Sequence, residues 1–529
     1  SGALVAGGLL LIEEIERPFL TRSLRVADRV TAHLLGDDTP DQRVLGLLTT
    51  SVPAASGPVE ALRRTRELGA RLWYIRERPG AAGVAMAVAA LTALGTPHLT
   101  VDLGRLARED DALDVVSTAI REARLAGGSL VAGPIEVLAD KVPAIRLLAE
   151  AACPVAIVGV RQWDPAWTPE VPVLLQAPLP SVGERSEIWR AMLNGHAPAT
   201  VDPAGGTTPF RLTPEQVRRA ARAAEYAAAA EGQPIDTAHL LAGARAQNAA
   251  GLERLSRRIE PRVRWDDLVL PPDTVRQLTE LTARARHRDR VLDDWGMAAR
   301  ASKGRGLTAL FAGDSGTGKT MSAEVVAADL GLDLYVIDLS TVVDKYIGET
   351  EKNLDRIFAE ADRVNAVLLF DEADAIFGKR SEVKDARDRY ANVEIAYLLQ
   401  RMEQFDGLAI LTTNLRANVD EAFLRRLDVI ADFPTPEEED RLRLWELHLA
   451  PALPREDDID LDFLAGAFKL SGGNIRNICL AAAFLAAAEE RPVSMTDLAR
   501  ATEREYQKLG RMIHVSEFGP YFELLRVTG

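Results

Sequence analysis

Cysteine is almost absent from this 529-residue chain, which holds only Cys153 and Cys479, far apart and each in apolar surroundings. Two such thiols provide neither a disulfide framework nor a zinc site, and a reducing, cytoplasmic compartment fits them best. Long apolar runs are missing as well. The first, residues 2–12, is too short to span a bilayer, lacks a basic leader and ends at Glu13 and Glu14, so no membrane partner is expected. The chain opens on Ser1-Gly2 rather than Met, so residues upstream are expected. Positive charge is in deficit, with 63 lysines and arginines against 78 acids and a net charge of −15. That balance argues against a protein that works by bulk neutralisation of nucleic-acid phosphates. Lysine is scarcest at the front, where Lys141 is the only one before Lys303. The scarcity tests for phosphate-binding lysines there without any alignment.

What is present is enough for several cores. Apolar residues make up 47% of the chain, and its length suggests three or four units at about 150 residues each. The chain also repeats itself. Pro178, Pro180, Glu184, Arg185 and Trp189 precede Pro434, Pro436, Asp440, Arg441 and Trp445 by a constant 256 residues. FRLTPEQVRRA from Phe210 matches FKLSGGNIRNI from Phe468 at 258, and GTPHLTVDLG from Gly95 matches GLDLYVIDLS from Gly331 at 236. In the second half the apolar runs LTALFAG, LDLYVIDL, AVLLFDE and LAILTTN alternate with helical stretches and show no period-two pattern. Such runs indicate parallel sheets covered on both faces. Ala-rich helical segments follow in each half, at 217–230 and 475–488.

The expected fold class is therefore α/β, two tandem P-loop-type parallel-sheet modules, each followed by a small helical lid. The boundaries run 1–45 for an N-terminal amphipathic helical segment, 46–180 and 181–258 for the first module and its lid, and 259–435 and 436–529 for the second. The polar, basic stretch 254–264 reads as the joint between the halves.

Gly313-Asp314-Ser315-Gly316-Thr317-Gly318-Lys319-Thr320 fits G-x4-GK[ST] between a strand and a helix that begins near Met321. Glycines there turn backbone N–H groups inward around phosphate oxygens, and the helix start adds its dipole. Lys319 would contact the β- and γ-phosphates of ATP, and Thr320 would hold Mg²⁺. The next apolar strand ends in Asp371-Glu372. Two crowded carboxylates at a strand tip repel each other and so ask for a reason. Asp371 would bind Mg²⁺ through water, and Glu372 would polarise the attacking water. Asn414 ends the strand after that and would orient the same water; taken alone, a terminal Asn is also an ordinary turn former.

Together these motifs resemble a AAA ATPase module of the AAA+ superfamily, over the whole half from about 259 to 529. The resemblance makes 313–320 the Walker A loop, 367–372 the Walker B strand and Asn414 sensor 1, and it gives Asp267 and Leu268, within WDDL, a place against adenine. It implies a homohexameric ring with each ATP between two subunits. The finger segment is compact, Phe423-Leu424-Arg425-Arg426-Leu427-Asp428, and leaves open which of Arg425 and Arg426 reaches the neighbour's γ-phosphate. Arg476, opening a lid helix, sits where many AAA+ members place sensor 2. Lys345-Tyr346-Ile347 resembles the first pore loop of protein-remodelling members, whose rings grip an extended polypeptide. A mixed-charge excess at 378–392 reads as a second pore loop or a salt-laced surface helix. ANVEIAYLLQRMEQFDG and the compact RRLD are similar to bacterial AAA proteins encoded beside contractile injection particles.

The first half lacks this chemistry. The 236 spacing puts Gly83 at the place of Lys319 and Val84 at that of Thr320. Gly133 or Pro134 replaces Asp371, Arg161 falls at Asn414, and Glu136 alone restores no metal site. The expected function is an ATP-hydrolysing ring that remodels, unfolds or threads a protein substrate or particle component. The rivals are a AAA+ nucleic-acid motor or loader, which the net charge disfavours, and an ATP-bound assembly scaffold.

Overall fold

The computed structural model describes residues 3–14, 16–49, 59–78, 80–108, 112–193, 198, 201–248, 251–297, 305–342, 349–362, 364–375, 396–414, 424–449, 452–457 and 459–525. Contacts divide the chain into two compact units, Ser1–Gln247 and Asn248–Gly529.

The first unit opens on short helices and a strand pair rather than on one amphipathic helix. β1 (Leu10–Ile12) pairs antiparallel with β2 (Leu24–Val26), and among the described residues up to 45 α-helix is confined to Ala3–Ala6, Asp28–Leu34 and Gln42–Leu45. Gly8, at φ +68°, turns the chain out of the first helix, and Pro18 cannot continue one.

Five parallel strands follow: β3 (Leu72–Arg76), β4 (His98–Asp102), β5 (Ser129–Gly133), β6 (Val155–Gly159) and β7 (Val173–Gln176), in the order β7-β3-β6-β5-β4. β5 and β6 are buried at every position. Their alternate residues serve opposite faces: Leu130, Ala132, Val155 and Ile157 join one core cluster, while Val131, Ala156 and Val158 join another with the helix Gly83–Ala93. Two covered faces explain the unbroken apolar runs. Helices Val182–Leu193, Pro214–Glu231 and Thr237–Arg245 form the lid.

In the second unit β8 (Arg257–Ile259), β9 (Leu307–Gly313), β10 (Asp333–Asp338), β11 (Ala366–Asp371), β12 (Leu408–Thr413) and β13 (Val429–Phe433) form one sheet in the order β13-β9-β12-β11-β10-β8. Without β8, the only antiparallel member, this is the strand order of the first unit. Helices Glu438–His448, Leu461–Ala467, Gly472–Ala488 and Met495–Lys508 close a lid around buried Trp445, Phe468 and Ile475.

β8 corrects the joint expected at 254–264. Its centre, Arg257–Ile259, is an edge strand of the second sheet, with Arg258 donating to Asp333, a fully buried carboxylate, at 3.0 Å. The division between units falls earlier, at 247/248 rather than 258/259. Asn248 already belongs to the second unit through a two-way link to Asn365, at 2.9 and 3.3 Å.

Candidate active site

The tips of β9, β12 and β11, neighbours in the second sheet, converge with the start of the helix Lys319–Leu330. In open parallel sheets ligands seat at this carboxyl edge. The loop from Gly313 to Gly318 needs glycine for two separate reasons. At Gly313 a Cβ would fall 2.1 Å from the carbonyl oxygen of Phe433 on β13, and Gly316 sits at φ +80°, where side chains are strained. The Thr317 hydroxyl donates to the Asp314 carbonyl at 2.8 Å and closes the turn. Asp314, Ser315 and Gly316 are exposed, and Thr320 and Met321 follow Lys319 in the first helical turn.

Lys319 is only 8% exposed. Its Nζ donates to the carbonyl oxygens of Gly313 (2.6 Å) and Asp314 (2.9 Å) and to Asn414 Oδ1 (2.8 Å). Burial lowers its pKa, against the opposing charges of Asp371, Asp374 and Asp314. A buried ammonium whose nearest acceptors are neutral oxygens suits an added anion, and a phosphate chain fits it.

Asp371 ends β11 and accepts from the Thr412 hydroxyl and, at 3.2 Å, from the Glu372 N–H. Glu372 is exposed and held at φ +56°. A non-glycine there costs about 1–3 kcal/mol, strain that concentrates at functional sites. The sequence reading passed over Asp374. This carboxylate accepts from the Thr413 hydroxyl and, at 3.1 Å through each of its oxygens, from the Asn414 N–H. Its signal was a third acid closely following the acid pair.

The remaining candidates divide. Arg425 and Arg426 are exposed, and the Arg426 carbonyl accepts from Thr308, at the start of β9, at 3.4 Å. Five residues of strand, about 17 Å, separate Thr308 from Gly313. These arginines therefore lie at the sheet's opposite edge from their own Lys319. The lid helix touches the loop through Gly473 N–H, which donates to Gly316 O at 2.9 Å. Arg476 lies one turn further along, exposed, on the side of His448, whose pKa is lowered by burial and then by the Arg476 charge. Asp267 caps its own turn by accepting from Arg264 N–H at 2.7 Å, and Leu268 is buried. Lys345, Tyr346, Ile347, Phe423 and the 378–392 excess lie outside the described residues.

Strand register aligns the two units residue by residue. Asp102 pairs with Gly133 as Asp338 pairs with Asp371, so Gly133 rather than Pro134 stands for Asp371. Arg76 pairs with Gly159 as Ala312 pairs with Thr413. The counterpart of Asn414 is therefore Val160, one residue before the Arg161 expected from spacing; the second unit has a longer segment between β11 and β12 than the first has between β5 and β6, and counting across it slipped by one. Gly83 begins its helix as Lys319 begins its own.

A carboxyl stands at the first unit's helix start: Glu77 accepts from Gly83 N–H at 2.9 Å. Burial raises Glu77 to about 7 against that hydrogen bond, and the Glu136 charge adds to the rise. Glu136 in turn accepts from Val160 N–H (2.7 Å) and Arg161 N–H (2.9 Å). A cavity of about 240 Å³ opens beside Glu77, Asp102 and Glu215, and its described lining holds no lysine or arginine. Among the described residues no cluster of His, Cys, Asp and Glu has metal-binding geometry, and no helix is long and apolar enough to cross a membrane.

Residues 309–435 match the family described as ATPase family associated with various cellular activities (AAA). Residues 181–250 match the contractile injection system ATPase helical domain. The 26S proteasome subunit RPT4 of Saccharomyces cerevisiae is 35% identical over 223 residues, which is 38% of this chain and 50% of that protein. The AAA family ATPase y4kL of Sinorhizobium fredii is 34% identical over 180 residues, covering 34% and 52%. The proteasome-activating nucleotidase of Saccharolobus solfataricus is 31% identical over 217 residues, covering 39% and 55%. The chain spans about half the length of these relatives.

Proposed function

We propose that this protein, whose residues 309–435 match the AAA ATPase family, hydrolyses ATP to ADP and phosphate and uses the energy to remodel a protein client in a homohexameric ring. The observation that carries the reading is the convergence of Lys319, Asn414, Asp371 and strained Glu372 on one sheet edge.

The loop amides and Lys319 bind and orient the phosphates, with Asp267 and Leu268 toward the base. Thr320 and Asp371 are the residues that would hold Mg²⁺, which would supply neutralisation of phosphate charge. Glu372 withdraws a proton from the attacking water, and Asn414 orients it. Arg425 or Arg426, remote from its own loop, reaches the neighbouring subunit's γ-phosphate and stabilises charge there. Arg476 reports the nucleotide to the lid. Lys345, Tyr346 and Ile347 grip the client. The match of residues 181–250 to the injection-system helical domain supports a particle component as client. The cytoplasm is the compartment consistent with the two buried thiols.

The test is Glu372→Gln, purified with and without ATP. The variant should assemble with ATP, retain nucleotide and hold protein clients above the wild-type level. No assembly with ATP, or phosphate release from the wild type driven by DNA rather than by unfolded protein, would overturn the reading. Tyr346→Ala should keep basal hydrolysis and lose client processing.

A further inference from the structure

Asp374 lies just past Asp371-Glu372, on the turn that leaves β11. Its two carboxylate oxygens take the Asn414 N–H between them, and one also accepts the Thr413 hydroxyl. The main chain at the tip of β12 is thereby pinned to the turn after β11. The amide oxygen that projects from this pinned residue is the one that receives Lys319 Nζ.

We propose that Asp374 is a positioning residue for hydrolysis, a carboxylate latch that fixes where the Asn414 carboxamide stands relative to Lys319 and the attacking water. The assignment rests on the ATPase reading above and adds to it the residue on which sensor geometry depends. Asn414 is exposed at a strand end, so packing alone does not hold its amide in place. A displacement of about 1 Å at a reacting centre costs about a hundredfold in rate, and the latch supplies that precision.

The first unit isolates the latch from the chemistry. By sheet register Glu136 is the counterpart of Asp374 and Val160 that of Asn414, and the same bond forms there, Val160 N–H to Glu136 at 2.7 Å. Val160 has no polar side chain to position. Tying two strand tips together is thus the latch's structural share, common to both units, and aiming Asn414 is the share found in the second alone.

The experiment uses the full chain and compares Asp374→Ala, Asp374→Asn, Asn414→Ala, the Asp374→Ala/Asn414→Ala double variant and Glu136→Ala. Asp374→Ala should lower kcat at least tenfold with KM for ATP within about threefold. Asp374→Asn keeps one acceptor oxygen and should recover part of the loss. The double variant should be no slower than Asn414→Ala, because the latch acts through that residue. Glu136→Ala should shift unfolding without changing kcat. The assignment fails if Asp374→Ala turns over within twofold of wild type, if the two losses multiply in the double variant, or if KM rises in step with the fall in kcat. A wild type that releases no phosphate sinks the ATPase reading and the latch with it; an active wild type with an indifferent Asp374→Ala sinks the latch alone.

Discussion

The two sheets share a strand order and a pairing register, yet their helix starts are filled differently. In the second unit a lysine ammonium waits among neutral oxygens. In the first, a glycine N–H is already taken by the Glu77 carboxyl, and Gly133 stands where the second unit has Asp371. The comparison teaches that one strand order and register can carry quite different residues at the helix start and strand tips. What differs is the side-chain set: Gly83, Gly133 and Val160 stand where the second unit has Lys319, Asp371 and Asn414.

The largest test of that contrast is Lys319→Ala, which should reduce hydrolysis by at least about a hundredfold, as expected for removing a group that stabilises transferred charge. Gly83→Lys, placed at the matching position, should gain no binding in a fluorescent-nucleotide titration. A side chain there has no room, since a Cβ would fall 2.6 Å from Glu77 Oε2 and 2.7 Å from Val158 Cγ1. For the same reason Gly83→Ala should destabilise the first unit by about 1–3 kcal/mol in urea titrations. An unchanged midpoint would show that the helix start is not tightly filled.

Acidity gives the next test. The Glu77 pKa is raised to about 7 in the folded protein, so the folded state holds a proton that the unfolded chain has released. Its contribution is complete below about 4.5 and is lost as pH rises through 7, by up to about 3 kcal/mol. The first unit should therefore weaken between pH 5 and 8, and Glu77→Gln should flatten the dependence. The smallest effects concern the lids. Thr213 and Ser471 both cap their helices within capping boxes, and replacing either by Ala should cost about 1 kcal/mol. Only Ser471→Ala should also alter nucleotide affinity, because Ser471 Oγ would lie 2.6 Å from a Cβ on Gly316.

Much of this was legible beforehand. Apolar runs without alternation announced covered parallel strands, and the Gly-rich loop and acid pair picked out the candidate site, because phosphate chemistry would depend on residue type at fixed spacing. The Lys-poor first half was equally plain. Residues that act through the main chain were harder to see. Asp374, Glu77 and Glu136 take backbone N–H groups as partners, and these leave no mark in the partner's sequence. β8 passed for a joint because an edge strand needs only one ladder of main-chain bonds, so its side chains can stay basic and polar. Arg161 was set against Asn414 because counting along the chain cannot fix the exact length of a segment inserted between two strands, whereas strand pairing does.

The bond from Gly473 N–H to Gly316 O is made of backbone atoms at both ends. No exchange of side-chain chemistry can delete it directly; only proline at 473 removes the donor. A Cβ on Gly473 would come within 3.1 Å of the Gly316 Cα, so bulk at that position wedges the contact apart. This one bond between lid and loop carries no titratable group, and a rotation of the lid helix would pull on a peptide plane of the loop itself.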